Sequence, residues 1–143
     1  MSDVLLVEDN LSDIMIAMRA FRIRGLEDRI KILRDGKEAL DYFAAEGLKD
    51  EHGEPAPLPK VVLLDLRMPR VDGREVLRHI RADERTQQVP VVIVSSSQAR
   101  SDIRECYRLG ANSFVVKTVD PKRPGEYLVD VADYWLNLNR VAD

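Results

Sequence analysis

The stretch Val61-Val-Leu-Leu-Asp-Leu-Arg-Met-Pro69 joins a short apolar run to an aspartate and a proline-containing turn, and it indicates the fold of the chain. Four apolar residues without polar alternation are typical of a parallel strand that is covered on both faces. Short runs of this kind recur along the chain, and in one of them Lys31 interrupts the pattern, as expected for an edge strand. We predict strands at 4–7, 30–33, 61–64, 91–94 and 114–116.

Segments of helical length lie between and after these runs, at 12–24, 36–46, 73–85, 98–109 and 123–140. Ser12 is the expected N-cap of the first segment, and Gly110 is expected to end the fourth. Alternating strands and helices require right-handed crossovers, which place helices on both faces of a parallel sheet. The sequence therefore predicts a doubly wound α/β domain.

One connecting segment, Gly47 to Pro59, is long and polar and carries prolines at positions 55, 57 and 59. Alternating prolines favour an extended, stiff path. A loop of this length is either a solvated connection or a docking site for a partner, and the sequence leaves both alternatives open.

Composition limits the class of protein further. The chain has 143 residues, 45% hydrophobic and 33% charged, a balance that supports one folded domain over 1–143. Its apolar runs are far shorter than the ~20 residues that cross a bilayer. A net charge of −3 gives no basic surface for nucleic acid, and a single cysteine, Cys106, excludes an internal disulfide. We expect a cytoplasmic protein that binds neither membrane nor nucleic acid.

Polar side chains follow four of the five runs at the point where each run stops. Glu8 and Asp9 follow the first run, Asp65 the third, Ser95 the fourth and Lys117 the fifth. The carboxyl ends of parallel strands share one edge of a sheet, and ligands bind there where the strand order reverses. If the second strand lies outside the first, this point falls between the first and third strands, and the three carboxylates converge.

Three carboxylates held together raise one another's pKa, and a bound hard cation relieves their repulsion. Oxygen ligands without histidine or cysteine select Mg²⁺, Mn²⁺ or Ca²⁺, and Mg²⁺ fits best because it commonly shares its ligands with phosphate. With Lys117 and Ser95 as donors, Asp65 has the surroundings of a nucleophile that forms an aspartyl phosphate. The alternative is that Glu8 and Asp9 cap a helix and that Lys117 merely neutralises them.

Four segments, Val4–Asp9, Leu63–Gly73, Pro90–Ser95 and Phe114–Lys117, resemble in order and spacing the receiver domains of two-component response regulators. The resemblance covers nearly the whole chain, and its most specific part begins at Asp65. In the turn after Asp65, Gly73 is the residue expected to adopt unusual backbone dihedrals. It implies a flavodoxin-like receiver fold, with a five-stranded parallel sheet of order 2-1-3-4-5. It also implies a phosphorylation switch rather than a turnover enzyme.

The resemblance implies chemical roles for individual residues. Asp65 would accept a phosphoryl group from a sensor histidine kinase, and Lys117 would pair with that group. Glu8, Asp9 and Asp65 would hold Mg²⁺, with the backbone carbonyl of Arg67 as a further ligand.

Signal transmission would depend on two switch residues, Ser95 and Phe114. Ser95 would hydrogen-bond the phosphoryl oxygen, and Phe114 stands at the aromatic switch position, where tyrosine is frequent in the family. Thr118 stands where proline usually follows the lysine, and a non-proline residue favours a trans Lys117–Thr118 bond.

The predicted last helix is apolar over a wider arc than one core face needs. We expect Tyr127, Tyr134, Trp135 and Leu138 at the interface of a homodimer formed through helix 4, strand 5 and helix 5. The alternative is that a neighbouring helix or the tail covers them. The closing aromatic residues and the long loop also resemble the stand-alone regulators of bacterial phytochrome kinases, so a phytochrome is the kinase implied.

Two other functions remain open from the sequence. A Mg²⁺-dependent phosphohydrolase would also use Asp65 as its nucleophile, but it needs a second acid–base carboxylate, which Leu66 and Arg67 do not offer. A non-phosphorylated interaction module would not need the intact polar strand ends. Because the five units use residues 3–140, we expect no output domain and signalling through protein contacts alone.

Overall fold

The computed structural model describes residues 3–44, 46–118 and 120–142. The strands are β1 Val4–Val7, β2 Ile30–Leu33, β3 Val61–Asp65, β4 Val91–Ser95 and β5 Ser113–Val116. The helices are α1 Leu11–Ile23, α2 Gly36–Phe43, α3 Gly73–Ala82, α4 Arg100–Arg108 and α5 Glu126–Asp133, with a 3₁₀ turn at Glu27–Arg29 and a π-helical turn at Tyr134–Leu138. Within these ranges, no helix is both long and apolar enough to span a membrane.

The strands form one parallel sheet in the order β2-β1-β3-β4-β5, which confirms the predicted topology. β2, which contains Lys31, is an edge strand as expected. The register pairs Val7 with Leu64, and Asp65 with Val94, so β1, β3 and β4 end close to one line. The strand order reverses between β1 and β3, and the polar residues that follow these strands therefore meet at one edge.

Hydrophobic side chains cover both faces of the sheet. On one face Leu64 belongs to a buried cluster with Leu77 and other residues of α2, α3 and α4. On the opposite face Leu63 belongs to a second cluster with Phe21 of α1 and Val129 of α5. Neighbouring residues of one strand thus enter different clusters, which is the doubly wound arrangement that the unalternating apolar runs predicted.

The start of α1 differs from the prediction. Asn10, not Ser12, is the N-cap, since its side chain accepts a hydrogen bond from the backbone N–H of Asp13 at 2.9 Å. Ser12 is exposed within the first turn. Asparagine and serine cap helices about equally well, so residue type alone did not separate the two positions.

The later helices are shorter than predicted, although the predicted stop of α4 at Gly110 is confirmed. Gly110 ends α4 as expected, because the N–H of Ala111 turns back to the carbonyl of Cys106 at 3.0 Å. The last helix starts only at Glu126, since Gly125 has a φ of +75° and lies outside the helical region. Its final turn widens into the π-helical turn at Tyr134–Leu138.

The first part of the proline-containing segment 47–59 folds back on itself instead of following an extended path. The N–H of Ala56 donates to the carbonyl of Leu48 at 2.8 Å, and the N–H of Asp50 donates to Glu54 at 2.7 Å. These bonds close a small hairpin around an antiparallel bridge. Leu48 is buried in the cluster beneath α2 and α3, so the loop is anchored to the core at its base.

Candidate functional site

The carboxyl edge of the sheet opens into a cavity of about 610 Å³. Asp9, Asp65, Ser95 and Lys117 line this cavity together, and Arg67 lies on its wall. The structure thus brings residues from the ends of β1, β3, β4 and β5 to one place, as the sequence predicted.

Three carboxylates form the acidic centre of the site. Glu8, Asp9 and Asp65 each offer an oxygen, and these oxygens lie within 4.8 Å of one another. Glu8 and Asp65 are only 4% and 6% exposed, whereas Asp9 is half-buried. Oxygen atoms at this spacing suit a hard divalent cation such as Mg²⁺ or Mn²⁺. The acidic trio, Glu8, Asp9 and Asp65, is therefore a candidate metal site.

Burial raises the pKa of the Asp65 carboxyl to about 8, and Glu8 adds to this rise through a hydrogen bond and charge repulsion. Lys117 and the backbone N–H of Arg67 lower the pKa, but by less. In the metal-free chain the carboxyl therefore holds a proton well into the neutral range. A cation bound to the acidic trio would favour the ionised form, which is the nucleophilic one.

Lys117 is the positive partner of these acids. Its Nζ lies 2.8 Å from Glu8, 3.0 Å from Asp13 and 3.8 Å from Asp65. Burial lowers the pKa of Lys117, but its hydrogen bonds to Glu8 and Asp13 outweigh burial and raise the pKa above its usual value. Asp13 was not predicted as a partner of Lys117, because it lies in the first turn of α1, beyond the end of the first apolar run.

The structure supports one part of the alternative in which the acids cap a helix and Lys117 neutralises them. Glu8 accepts the backbone N–H of Asn10 at 3.2 Å, and Lys117 does pair with Glu8. The side chain that caps α1 is nevertheless that of Asn10, and Asp9 lines the cavity. Asp9 and Asp65 therefore remain available at the cavity.

The turn after β3 fixes the position of Asp65. Arg70 adopts a φ of +67°, so the unusual backbone dihedral lies there and not at Gly73, where the sequence analysis would place it. Gly73 is needed for a different reason, because a Cβ at this position would lie 2.3 Å from the carbonyl oxygen of Asp65. The N–H of Gly73 also donates to Leu66 at 2.9 Å, which binds the start of α3 to the end of β3.

The candidate switch residues lie beside the cavity. Ser95 is buried, and its Oγ accepts the N–H of Ser97 at 3.1 Å. Phe114 is half-buried on β5 and packs against the cluster of α2, α3 and α4. No cis peptide occurs among the described residues, so the Lys117–Thr118 bond is trans, as the sequence favoured.

The predicted interface residues differ in exposure. Tyr134 and Leu138 are 46% and 71% exposed, whereas Trp135 is half-buried and stacks edge-on against Tyr134 with ring centroids 5.3 Å apart. Tyr127 lines the cavity, and burial raises the pKa of its hydroxyl to about 12. Much of the apolar arc, including Val129, is covered by the chain's own core, so less of it is free than its width suggested.

Arg67 contributes its side chain as well as its backbone to the surroundings of the site. Its Nη2 lies 3.0 Å from a carboxylate oxygen of Asp102 on α4. This contact was not predicted, because 35 residues separate the partners and no sequence pattern links Arg67 to Asp102.

The family model of the response regulator receiver domain matches residues 4–127. The chain belongs to this family. Receiver domains act in two-component systems, interact with histidine kinases, and are signalling switches rather than turnover enzymes. The resemblance inferred from the four sequence segments is therefore confirmed.

Two curated relatives match over most of their length. The protein named "Probable methanogenesis regulatory protein FilR2", from Methanothrix harundinacea, is 42% identical over 96% of this chain and 85% of its own. Response regulator Rcp1 from Synechocystis is 30% identical over 93% of this chain and 88% of its own.

Solved structures confirm the fold and the link to phytochrome regulators. The phosphorylated cyanobacterial phytochrome response regulator RcpA superposes with a TM-score of 0.81 at 31% identity, covering 98% of this chain and 97% of that chain. The Mn²⁺-bound form of Rcp1 superposes with a TM-score of 0.80 at 28% identity, covering 98% of each chain. The flavodoxin-like receiver fold is thus shared along the whole length of these proteins.

Proposed function

We propose that this receiver domain accepts a phosphoryl group on Asp65 in a Mg²⁺-dependent reaction. The observation that carries the proposal is the burial of Asp65 within the acidic trio and 3.8 Å from Lys117. A carboxylate in this setting is activated when a cation and an ammonium group offset the charge of its neighbours.

The reaction transfers a phosphoryl group between two nucleophiles. A carboxylate oxygen of Asp65 forms a bond to the phosphorus of a phosphohistidine, the phosphorus–nitrogen bond breaks, and the released imidazole takes up a proton. Glu8, Asp9, Asp65 and the backbone carbonyl of Arg67 would hold Mg²⁺, which supplies positive charge to the transferring oxygens. The existence of a Mn²⁺-bound form of the related regulator Rcp1 supports the binding of a divalent cation.

Ser95 and Lys117 are the donors that we assign to the phosphoryl oxygens. Ser95 would donate its hydroxyl hydrogen to the phosphoryl group while its oxygen still accepts the N–H of Ser97, so an inward movement of Ser95 would draw the start of α4 towards the site. Phe114, half-buried on the adjacent strand, would then turn further inwards. This movement would carry the signal from Asp65 to the face formed by α4, β5 and α5.

We propose a sensor histidine kinase of the phytochrome type as the phosphoryl donor. RcpA, a phytochrome response regulator whose structure is phosphorylated, supports both the donor class and the modification. The surface next to the cavity also suits a protein donor, since Leu11, Met15 and Ile16 of α1 are exposed there. The kinase partner and a single cysteine, Cys106, favour a cytoplasmic location.

We also propose a homodimer through α4, β5 and α5. Exposed Tyr134 and Leu138 support it, with half-buried Trp135 and Tyr127 at its margin. Sedimentation of wild type and Tyr134→Asp, with and without a phosphoryl mimic, tests this proposal. We expect the mimic to strengthen association in wild type only, and monomers in all four samples would contradict the dimer. In this scheme 1–143 is one receiver domain, and its output passes through protein contacts.

The test of phosphoacceptor function is intact-mass analysis after incubation with Mg²⁺ and acetyl phosphate. We expect one acid-labile phosphoryl group on wild type and none on Asp65→Asn, which preserves shape but removes the nucleophile. Asp28→Asn is the matched control. Asp28 is exposed in the 3₁₀ turn before β2, near the amino ends of the strands and far from the cavity at their carboxyl ends. Equal phosphorylation of Asp65→Asn and wild type would show that the acceptor is another residue.

A further inference from the structure

A second polar cluster lies between the turn after Asp65 and α4. Its centre is Asp102, in the first turn of α4, with a side chain that is 13% exposed. Three side chains donate to its carboxylate: Arg67 at 3.0 Å, Arg74 at 2.7 Å and Ser97 at 2.6 Å. The hydrogen bond from Ser97, followed by the two arginines, lowers the pKa of Asp102, so the carboxylate is ionised at neutral pH.

The donors to Asp102 come from both sides of the phosphoacceptor site. Arg67 lies two residues after Asp65 and lines the same cavity. Ser97 lies two residues after Ser95 and donates its N–H to the Ser95 hydroxyl. A single oxygen of Asp102, Oδ2, accepts from both Arg67 and Ser97. The carboxylate on α4 therefore pairs with two residues that each lie two positions after a residue of the site.

The two arginines are held differently. The Arg74 side chain is 18% exposed and contacts Glu105 and Asp72 as well as Asp102, which fixes it between α3 and α4. The Arg67 side chain is 65% exposed, and exposed ion pairs are weak. If Arg67 leaves, Arg74 and Ser97 still satisfy Asp102, so the change leaves no isolated buried charge.

A phosphoryl group on Asp65 would bring about −1.5 to −2 charges into the cavity that Arg67 lines. A guanidinium binds phosphate oxygens with strong, charge-assisted hydrogen bonds. We propose that Arg67 is shared between two acceptors, Asp102 in the unphosphorylated chain and the phosphoryl group in the phosphorylated chain. Asp102 is then a positioning residue that competes with phosphorylation for Arg67. The inference rests on the proposed function of Asp65.

The competition has a consequence for α4. When Arg67 pairs with Asp102, the turn after β3 is connected to the first turn of α4. Transfer of Arg67 to the phosphoryl group breaks that connection, while Arg74 and Ser97 keep their hydrogen bonds to Asp102. Phosphorylation would therefore loosen α4 through a side-chain exchange that is separate from the movement of Ser95.

A double-mutant cycle tests the inference, with Mg²⁺ and beryllium fluoride as the phosphoryl mimic. We expect Asp102→Asn to bind the mimic about two- to fivefold tighter by titration calorimetry, the range that one exposed ion pair supports. Arg67→Ala should bind the mimic more weakly than wild type. Adding Asp102→Asn to Arg67→Ala should give no further tightening, because the competing pair no longer exists.

Asp83→Asn is the matched control for net charge. Asp83 pairs with Arg85 beyond the end of α3, away from the cavity, and this variant should bind the mimic as wild type does. Hydrogen exchange should also show faster exchange in α4 of Asp102→Asn before the mimic is added.

The inference would be overturned if Asp102→Asn increased the affinity for the mimic equally in the wild-type and Arg67→Ala backgrounds. It would also be overturned if Asp102→Asn increased the affinity in neither background. If Asp102→Asn does not fold, wild-type affinity in Arg67→Ala alone would overturn it. A wild-type chain that binds no mimic would instead contradict the proposed function itself, and the inference with it.

Discussion

At the carboxyl edge of the sheet, the buried acids Glu8 and Asp65 share one lysine, Lys117, with the half-buried Asp9 beside them. At the amino edge a single donor group, the guanidinium of Arg81, donates hydrogen bonds to four uncharged acceptors. These acceptors are the carbonyls of Gly110, Gln87 and Val89 and the side chain of Asn112, at 2.7 to 3.1 Å. One edge has more carboxyl groups than positive charges, whereas at the other edge one guanidinium satisfies four acceptors.

The difference separates function from stability within one sheet. Buried carboxyl groups that repel one another carry a free-energy cost, which is acceptable where a cation and a phosphoryl group bind. The contacts of Arg81 join the end of α3 to the segments that enter β4 and β5, so they hold the amino edge together. Changes at the carboxyl edge should therefore affect chemistry, and changes at the amino edge should affect the free energy of unfolding.

The largest effect is expected for Lys117→Met. The variant removes the ammonium group that we assign to the phosphoryl oxygens, and phosphorylation by acetyl phosphate with Mg²⁺ should slow by about 100-fold or more. The initial rate of mass increase measures this effect. Lys122→Met, at an exposed lysine, makes the same change in net charge and should retain the wild-type rate. A Lys117→Met rate within about threefold of wild type would remove Lys117 from the transfer step.

At the amino edge, Arg81→Met should destabilise the fold by about 3 kcal/mol, since it leaves several oxygens without their donor. Urea denaturation measures the loss. Arg78→Met is the control, because Arg78 is exposed one turn earlier on the same helix. The affinity for Mg²⁺ with beryllium fluoride should remain at the wild-type value in both variants. A weaker mimic affinity in Arg81→Met would show that the two edges are coupled and that our separation of roles is wrong.

A smaller effect is expected for the pH dependence of stability. The pKa of Asp65 is about 8 in the folded chain and near 4 in the unfolded chain, so between these values the folded state holds an extra proton. The metal-free chain should therefore lose stability as pH rises from about 4 to 8. Asp65→Asn should abolish this slope, and its stabilising effect on the metal-free chain relative to wild type should grow as pH rises towards 8.

Denaturation curves from pH 4 to 8 in the presence of a chelator measure this slope. Addition of Mg²⁺ should stabilise wild type but have little effect on Asp65→Asn, because the variant offers one carboxylate fewer. Asp28→Asn serves again as the control and should keep the wild-type slope. An unchanged slope in Asp65→Asn would mean that another group takes up the proton.

The sequence predicted the sheet and the acidic trio because both depend on local patterns. Each apolar run marks a strand, and the residue after the run marks its carboxyl end, so Asp65 and Lys117 could be placed without coordinates. The contacts of Asp102 and Arg81 could not be predicted in this way. Their partners come from separate loops and helices, and only the packing of α3 against its neighbours brings them together.

Two errors show the limits of residue type as a signal. The sequence indicated Gly73 for the unusual backbone dihedral, but Arg70 adopts the positive φ, and Gly73 serves the close approach of α3 to β3. Arg70 and Gly73 both lie in the turn after β3, and only the observed backbone dihedrals show which of them has the positive φ. The predicted cap at Ser12 failed in the same way, because Asn10 is an equally good cap two residues earlier.

The smallest expected effect concerns the N-cap of α1, at the carboxyl edge of the sheet, and it distinguishes Asn10 from Ser12. The Asn10 side chain accepts from Asp13, and the Asn10 N–H donates to Glu8, so this residue joins the start of α1 to the acidic trio. Asn10→Ala should lower the free energy of unfolding by about 1 kcal/mol, the usual effect of losing a helix cap. Ser12→Ala should be neutral or slightly stabilising, because alanine favours a helix interior. Denaturation of both variants in the same buffer gives the comparison. A loss in Ser12→Ala as large as that in Asn10→Ala would restore the cap that the sequence predicted and contradict the one in the structure.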